Sequence, residues 1–174
     1  MPGITRDGAV RVLWLLVIAG FIQIFYYYPQ LPDVVATHYN FKGEPDAWGS
    51  KSTMVILYGG LLIFISVIFL IIDKVLKHIS PEFINIPNKE YWLAPERREQ
   101  TLETFSAFML WIGNITLLFM LALFQYLFTL QSQNDALNNG YFWGGLLTYL
   151  LLMSWILIKF YLTFRRASSK QSIY

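Results

Sequence analysis

Apolar residues fall into four long runs, and three more polar segments separate them. The runs cover about residues 10–28, 54–72, 105–130 and 141–164. A helix needs roughly 20 apolar residues to cross a bilayer core of about 30 Å, and each run is close to that length or above it. The pattern therefore predicts four membrane-spanning helices, called span one to span four below.

The first run also invites comparison with a cleaved signal peptide. Signal peptides have a shorter apolar region that is followed by a cleavage site of small residues. Here the run is longer, and it ends in three tyrosines and Pro29. We therefore expect span one to be retained as a helix.

Composition strengthens the membrane interpretation. Hydrophobic residues make up 56% of the 174 residues and charged residues only 14%, whereas about a quarter of a soluble domain is charged. The length suits a single membrane domain over residues 1–174. The net charge of +2 gives no support to a nucleic-acid partner. The absence of cysteine excludes disulfides and cysteine metal sites.

The positive charges predict the orientation of the spans. Of 13 Lys and Arg residues, 11 lie in the two terminal segments and the second loop, and the other 2 lie in the first loop. Cytoplasmic segments carry the excess of Lys and Arg. We therefore predict an all-α membrane protein, a four-transmembrane-helix bundle with both termini in the cytoplasm and a structured extracytoplasmic loop between spans one and two.

The first loop, residues 29–53, has the sequence features of an ordered structure. Two prolines at its start end the first helix and favour an extended path. Residues 34–39 are suited to a short strand, and residues 42–46 have turn chemistry, with Gly43 able to take positive φ. Ser50 or Ser52 could cap the second helix.

The same loop carries an ordered series of short motifs. They are Leu31-Pro32, His38-Tyr39-Asn40, Gly43-Glu44-Pro45-Asp46 and Trp48-Gly49-Ser50-Lys51. With its flanking spans, over about residues 10–72, this segment resembles the bacterial family known as domain of unknown function 1648. The segment 86–98 of the second loop looks like one common in four-span members of that family.

The resemblance extends to the SdpI-like proteins, which share this first module and have further spans that this chain lacks. They include a protein that gives immunity to a secreted peptide toxin and captures a repressor at the membrane. The resemblance implies a multi-pass protein of the bacterial plasma membrane, and it leaves the biochemical role of the module open.

The first loop supplies the candidate ligand-binding residues. They are His38, Asn40, Gly43, Asp46, Trp48 and Lys51. A structural alternative has His38 and Asn40 bonding the loop's own backbone, with Asp46 holding a turn or pairing with Lys51. A metal site is disfavoured because the only other histidine, His78, is predicted on the opposite side of the membrane, so we expect no metal and no cofactor.

Catalytic signals are sparse. The sequence has no Gly-x-Ser-x-Gly, His-Glu-x-x-His or phosphate-loop motif. The predicted spans contain no Asp, Glu or His, which argues against an ion-coupled transporter and leaves no catalytic residue to name. The polar residues that remain in the spans are expected to join helices by hydrogen bonds, with a channel lining as the alternative. They are Gln23, Asn114, Thr116 and Gln125.

Two glycine pairs lie in spans two and four. Gly59-Gly60 and Gly144-Gly145 would let these spans approach each other closely. The alternative is that both pairs are ordinary apolar filler.

The second loop has a candidate surface of its own. Pro95 is suited to the first turn of a helix that continues into span three. Tyr91 and Trp92 are expected at the cytoplasmic interface, with Arg97 and Arg98 facing anionic headgroups or a cytoplasmic partner.

The sequence therefore favours a non-enzymatic membrane protein whose outer loop recognises a peptide toxin, a lipid or a membrane protein partner. One alternative is a membrane-embedded enzyme or transporter subunit acting on lipid-linked or envelope substrates, with His38 and Asp46 as an acid–base pair. Another is a passive subunit of a membrane complex.

Overall fold

The computed structural model describes residues 5–133 and 137–165. It contains five helices and one hairpin of two strands in this part of the chain. In chain order the elements are α1 (Arg6–Tyr27), β1 (Val34–Tyr39), β2 (Pro45–Ser50), α2 (Lys51–Leu76), α3 (Lys89–Trp92), α4 (Arg98–Gln133) and α5 (Asn139–Arg165). Arg166 and Lys170, which entered the charge count, lie outside the described residues.

The four predicted spans are confirmed as α1, α2, α4 and α5. Each is long and apolar enough to cross a membrane. All four extend beyond the apolar runs because polar residues continue the helices at their ends. At the start of α2, for example, the Ser50 side chain accepts a hydrogen bond from the Thr53 amide, as predicted for this cap.

Helix α4 lies at the centre of the bundle and contacts α1, α2 and α5. The predicted neighbours, span one with two and span three with four, do touch. The main partner of α1, however, is α4. The end of the bundle that carries the β1–β2 hairpin is called the hairpin end below, and the end that carries the second loop is called the opposite end.

The apolar core has two parts. The first joins α1, α2 and α4, and its fully buried side chains include Leu13, Tyr58, Leu62 and Phe128. The second lies at the opposite end and joins α4, α5 and the second loop. Helix α5 therefore belongs to the core only through its last turns, where Ile156 and Phe164 are buried.

Side-chain hydrogen bonds join α4 to α1 at two depths, and one of them continues to α2. Near the hairpin end, the Gln23 amide donates to Gln125 at 2.8 Å and accepts from the Tyr58 hydroxyl at 2.6 Å. Nearer the middle, the buried Asn114 amide donates to the Ala9 carbonyl at 2.9 Å. The prediction that these polar residues join helices is confirmed, while the Thr116 hydroxyl donates mainly to the Ile112 carbonyl of its own helix.

A buried ion pair lies at the opposite end, and the sequence analysis missed it. The Arg6 guanidinium makes two hydrogen bonds of 2.6 Å to the Asp73 carboxylate, which also accepts from the Ser106 hydroxyl. Asp73 is only 3% exposed. The predicted spans themselves contain no acidic residue, and Asp73 lies in the four residues by which α2 continues past the apolar run.

The predicted contact between the glycine pairs of spans two and four was wrong. Gly59 lies against Ile24 and Phe21 of α1, and the Cβ positions of Gly60, Gly144 and Gly145 face open space. Because α4 lies between the other helices, these glycines point toward different surroundings.

The hairpin contains the predicted strand and turn, and a second strand that was not predicted. Strands β1 and β2 pair antiparallel, with Val34 opposite Ser50 and Tyr39 opposite Pro45. Gly43 in the turn has φ +83°, as predicted. A Cβ at Gly43 would lie 3.0 Å from the Leu137 carbonyl oxygen, so the turn packs closely on the segment that precedes α5.

Substitution Gly43→Ala should loosen the hairpin. A side chain at positive φ costs about 1–2 kcal/mol, and here it also meets the Leu137 carbonyl. We expect amide hydrogen exchange in residues 34–50 to become roughly tenfold faster, since about 1.4 kcal/mol corresponds to a factor of ten. Gly60→Ala, at a helical position with open space, is the control and should leave this exchange unchanged. Equal effects of the two changes would refute the proposed packing of the turn.

The Arg6–Asp73 pair should show strong energetic coupling. Removing one partner leaves a buried charge unpaired, so Arg6→Met and Asp73→Leu should each lower the free energy of unfolding by about 2 kcal/mol. This figure allows for the partial exposure of Arg6. The double variant should lose less than the sum of the two, as measured by denaturant titration in detergent. Asp7→Asn, which alters an exposed partner of Arg6, is the control, and additivity of the two single changes would contradict the coupling.

Candidate functional site

The hairpin is anchored to the bundle by side chains from both of its ends and by α4. Leu31 and Val35 are buried in the core that joins α1, α2 and α4. The side-chain amide of Gln131, on α4, bonds the backbone of Ala36 twice. Its oxygen accepts from the Ala36 N–H at 2.7 Å, and its nitrogen donates to the Ala36 carbonyl at 2.9 Å. The hairpin therefore has a fixed position over the ends of the helices.

Lys51 completes this anchor. Its ammonium lies 3.0 Å from an oxygen of Asp33 and donates to the Leu31 carbonyl at 3.3 Å. The predicted pairing of Asp46 with Lys51 was wrong. Lys51 begins α2 beyond the end of β2, where Asp33 at the start of the hairpin is the nearer carboxylate, and Asp46 lies near the turn.

His38 and Asp46 instead pair with each other across the two strands. The Nδ1 of His38 donates to Oδ1 of Asp46 at 2.5 Å. The side chains are 68% and 45% exposed. The structural alternative in which His38 bonds backbone groups was therefore wrong, because an irregularity in the strand pairing beside His38 brings Asp46 next to its ring.

Asn40 and Gly43 shape the turn. The Asn40 side-chain oxygen accepts from the backbone N–H groups of Lys42 and Glu44 at 2.8 and 3.1 Å. Its amide nitrogen donates to the Glu44 carboxylate at 2.9 Å. The prediction that Asn40 bonds the loop's own backbone is confirmed, so Asn40 and Gly43 are structural parts of the candidate site.

A cavity of about 440 Å³ opens beside the exposed pair. Its walls come from β1, from α4 and from the start of α5, and they include His38, Phe41, Leu127, Asn139 and Trp143. Tyr39 also lines this cavity, and burial raises the pKa of its phenol above the ordinary value. Trp48 lies on β2 outside this lining and is 60% exposed.

The candidate residues of the second loop contact other parts of the protein. The Trp92 indole donates to the Phe164 carbonyl at 2.6 Å, and Arg98 donates to the Ile79 carbonyl at 2.9 Å. Arg97 lies 4.0 Å from the ring centre of Tyr91. These contacts hold the loop beneath α5 and leave its predicted role in lipid or partner binding a prediction.

The helix that follows the second loop begins at Arg98, three residues later than predicted. Residues 94–97 form a turn, in which the Arg97 and Arg98 amides donate to the Ala94 carbonyl. The continuation of this helix into span three is confirmed.

The two histidines lie at opposite ends of α2. This helix has 26 residues, which corresponds to about 39 Å at the usual helical rise. Within residues 5–133 and 137–165, no three His, Asp or Glu side chains come together in a way that could hold a metal ion.

The sequence analysis missed the far wall of the cavity. Leu123, Leu127, Phe142 and Trp143 come from spans three and four, which the sequence did not connect with the hairpin. One feature of the sequence could have indicated this wall. The loop between spans three and four is short, so the ends of these two helices have to lie beside each other.

Comparisons with known proteins give a family match to the first loop with parts of its flanking spans, and a partial match to an archaeal protein. Residues 15–63 match the family model described as domain of unknown function (DUF1648). An uncharacterized protein of Archaeoglobus fulgidus is 38% identical over 82 residues, which are 45% of this chain and 40% of the relative. The chain thus aligns with about two fifths of that protein's length. No solved structure matches the chain.

The family match covers the motif-bearing loop completely. The relative is archaeal, so the bacterial setting and the SdpI-like role of this protein stay predictions. The resemblance seen in residues 31–51 is confirmed, since residues 15–63 of this membrane protein match the model of the domain of unknown function DUF1648.

Proposed function

We propose that this protein is a non-enzymatic membrane protein that recognises a ligand at its hairpin end. The observation that carries the proposal is the exposed His38–Asp46 pair, which lies on an anchored hairpin beside a 440 Å³ cavity. The ligand meets a polar contact and an apolar wall at the same place.

The anchoring of the hairpin supports a binding role. A ligand loses less free energy on binding when the site does not have to be ordered first. Gln131, Lys51 and the buried Val35 fix the hairpin without using the His38–Asp46 pair. The pair therefore stays available to a ligand while the rest of the motif maintains the shape.

The charge distribution supports an outer location for this site. The two lysines of the first loop contrast with the 11 basic residues of the other predicted side. With positive charge retained in the cytoplasm, the hairpin end faces outward. The ligand would then arrive from outside the cell or from the outer leaflet of the membrane.

A membrane-embedded enzyme is the second candidate, and the His38–Asp46 contact is the observation that favours it. A carboxylate bonded to Nδ1 fixes the orientation of an imidazole and leaves its Nε2 free to exchange a proton, as in catalytic triads. The same pair can equally serve as a hydrogen-bonding contact for a ligand.

The outward orientation predicts a pattern of cysteine labelling. The chain has no native cysteine, so single cysteines can be placed without a prior substitution. Lys42→Cys at the hairpin should react with a membrane-impermeant maleimide in intact cells. Glu82→Cys at the opposite end should react only after the cells are permeabilised, and the reverse pattern would overturn the outward location.

The recognition proposal predicts that function and folding separate within the first loop. His38→Gln and Asp46→Asn remove an exposed pair, which is worth about 1 kcal/mol or less, so both variants should accumulate in the membrane like the wild type. Neither should complement a strain that lacks the gene under a condition where that strain grows poorly. Lys51→Met is the structural comparison, and it should lower the amount of folded protein.

The outcomes distinguish the two candidates. Full complementation by folded His38→Gln and Asp46→Asn would remove the hairpin pair from the function. His38→Ala removes the ring and its proton exchange, whereas His38→Asn keeps a donor near the Nδ1 position without acid–base chemistry. Rescue by His38→Asn supports recognition, and failure of both variants despite normal accumulation supports the enzyme.

A further inference from the structure

The interface between α4 and α5 is closed in one half and open in the other. At the opposite end, Phe105, Phe108, Phe160 and Phe164 pack edge to face and fill the space between the helices. In the hairpin half, the helices touch through the stacked rings of Phe119 and Tyr149, and residues 139–155 of α5 include no fully buried side chain. A cleft of about 430 Å³ lies between the helices there.

The cleft has the depth of one membrane leaflet. Its α4 wall runs from Ile115 to Tyr126 and its α5 wall from Tyr141 to Leu152. Eleven residues of helical rise give about 16 Å, and half of a hydrocarbon core of about 30 Å is about 15 Å. The cleft therefore covers the leaflet at the hairpin end and stops near the middle of the membrane.

The cleft leads to the candidate site. It shares the lining residues Leu123 and Phe142 with the cavity beside the hairpin. An elongated apolar molecule in the cleft would thus have its upper end among the cavity walls, near His38 and Asn139. Both walls carry exposed apolar side chains, Leu118 on α4 and Leu152 on α5, so the surrounding bilayer is the source of such molecules at this depth.

The charges at the hairpin end distinguish between headgroups. The first loop contains three carboxylates and two lysines, and the pairing of Lys51 with Asp33 leaves Glu44 and Asp46 against Lys42. This balance disfavours an anionic headgroup. Asp46 is bonded to His38 at the cavity edge, and Trp143 lines the cavity. Both favour an ammonium group, which carboxylates and aromatic faces attract.

We infer that the α4–α5 cleft and the adjoining cavity form a binding site for a membrane phospholipid with an amine-bearing, zwitterionic headgroup. One acyl chain lies in the cleft, and the ammonium group lies by Asp46 and the cavity aromatics. The inference rests on the proposed recognition function and gives its ligand class.

Native mass spectrometry of the full chain tests the inference. The purified protein is incubated with phosphatidylethanolamine and phosphatidylglycerol of identical chains, and retained lipids are counted. The wild type should hold one phosphatidylethanolamine, with a preference of about fivefold or more, the scale of one added cation–π contact. A peptide in place of lipid, no retained lipid, or equal retention of both lipids would overturn the inference.

Matched leucine substitutions test the location of the chain. Gly145→Leu extends a side chain from α5 into the cleft, and Ala122→Leu does so from α4. Both should lose the retained lipid. Gly60→Leu places the same side chain at an exposed glycine of α2 with open space and should keep the lipid. Loss in all three variants, or retention in both cleft variants, contradicts the site.

The headgroup variant separates this inference from the proposed function. Asp46→Asn should reduce the preference for phosphatidylethanolamine toward equality and leave the chain in the cleft. If Asp46→Asn abolishes complementation while wild-type protein holds no lipid, recognition stands and the lipid inference fails. A different result separates them the other way. If Gly145→Leu and Ala122→Leu lose the lipid while His38→Gln and Asp46→Asn complement fully, the lipid site stands and the proposed function fails.

Discussion

The arrangement of the bundle depends on the polar side chains along one side of α4. Ser106, Asn114, Gln125 and Gln131 bond, at successive depths, to α2, α1 and the hairpin. Lipid chains are as apolar as leucine, so apolar packing alone specifies little about which helices pair in a membrane. Hydrogen bonds do specify it, since each polar group in hydrocarbon has to find a partner at its own depth.

The same interactions explain why the two ends of the bundle differ. Gln131, the last of the four, bonds the Ala36 backbone, so the position of the hairpin follows from that of α4. Helix α5 takes no part in these four bonds, and its hydroxyl contact with α4, between Tyr149 and Thr116, is long at 3.4 Å. The hairpin is therefore fixed by side-chain hydrogen bonds, whereas the adjoining half of α5 contacts α4 through stacked aromatic rings, with the cleft beside them.

The sequence predicted what depends on local chemistry. Apolar length predicted the spans, and side-chain type predicted the Ser50 cap and the Gly43 turn. Contacts between distant residues were not accessible in this way. The pairing of Asp73 was missed because its partner Arg6 is 67 residues away. The cleft depends on the packing of α5 against α4, which no single run of residues determines.

The first-loop motif contains residues of two kinds, and stability separates them. Asn40 bonds turn amides and Lys51 bonds a carboxylate and a carbonyl, so each has a structural reason to be there. The His38–Asp46 pair is largely exposed, and such pairs contribute about 1 kcal/mol or less to folding. Stability thus accounts poorly for a histidine and an aspartate held together in this geometry. Binding or chemistry at the membrane surface accounts for it better, because an exposed, oriented pair beside an apolar cavity is what an amphiphilic ligand requires.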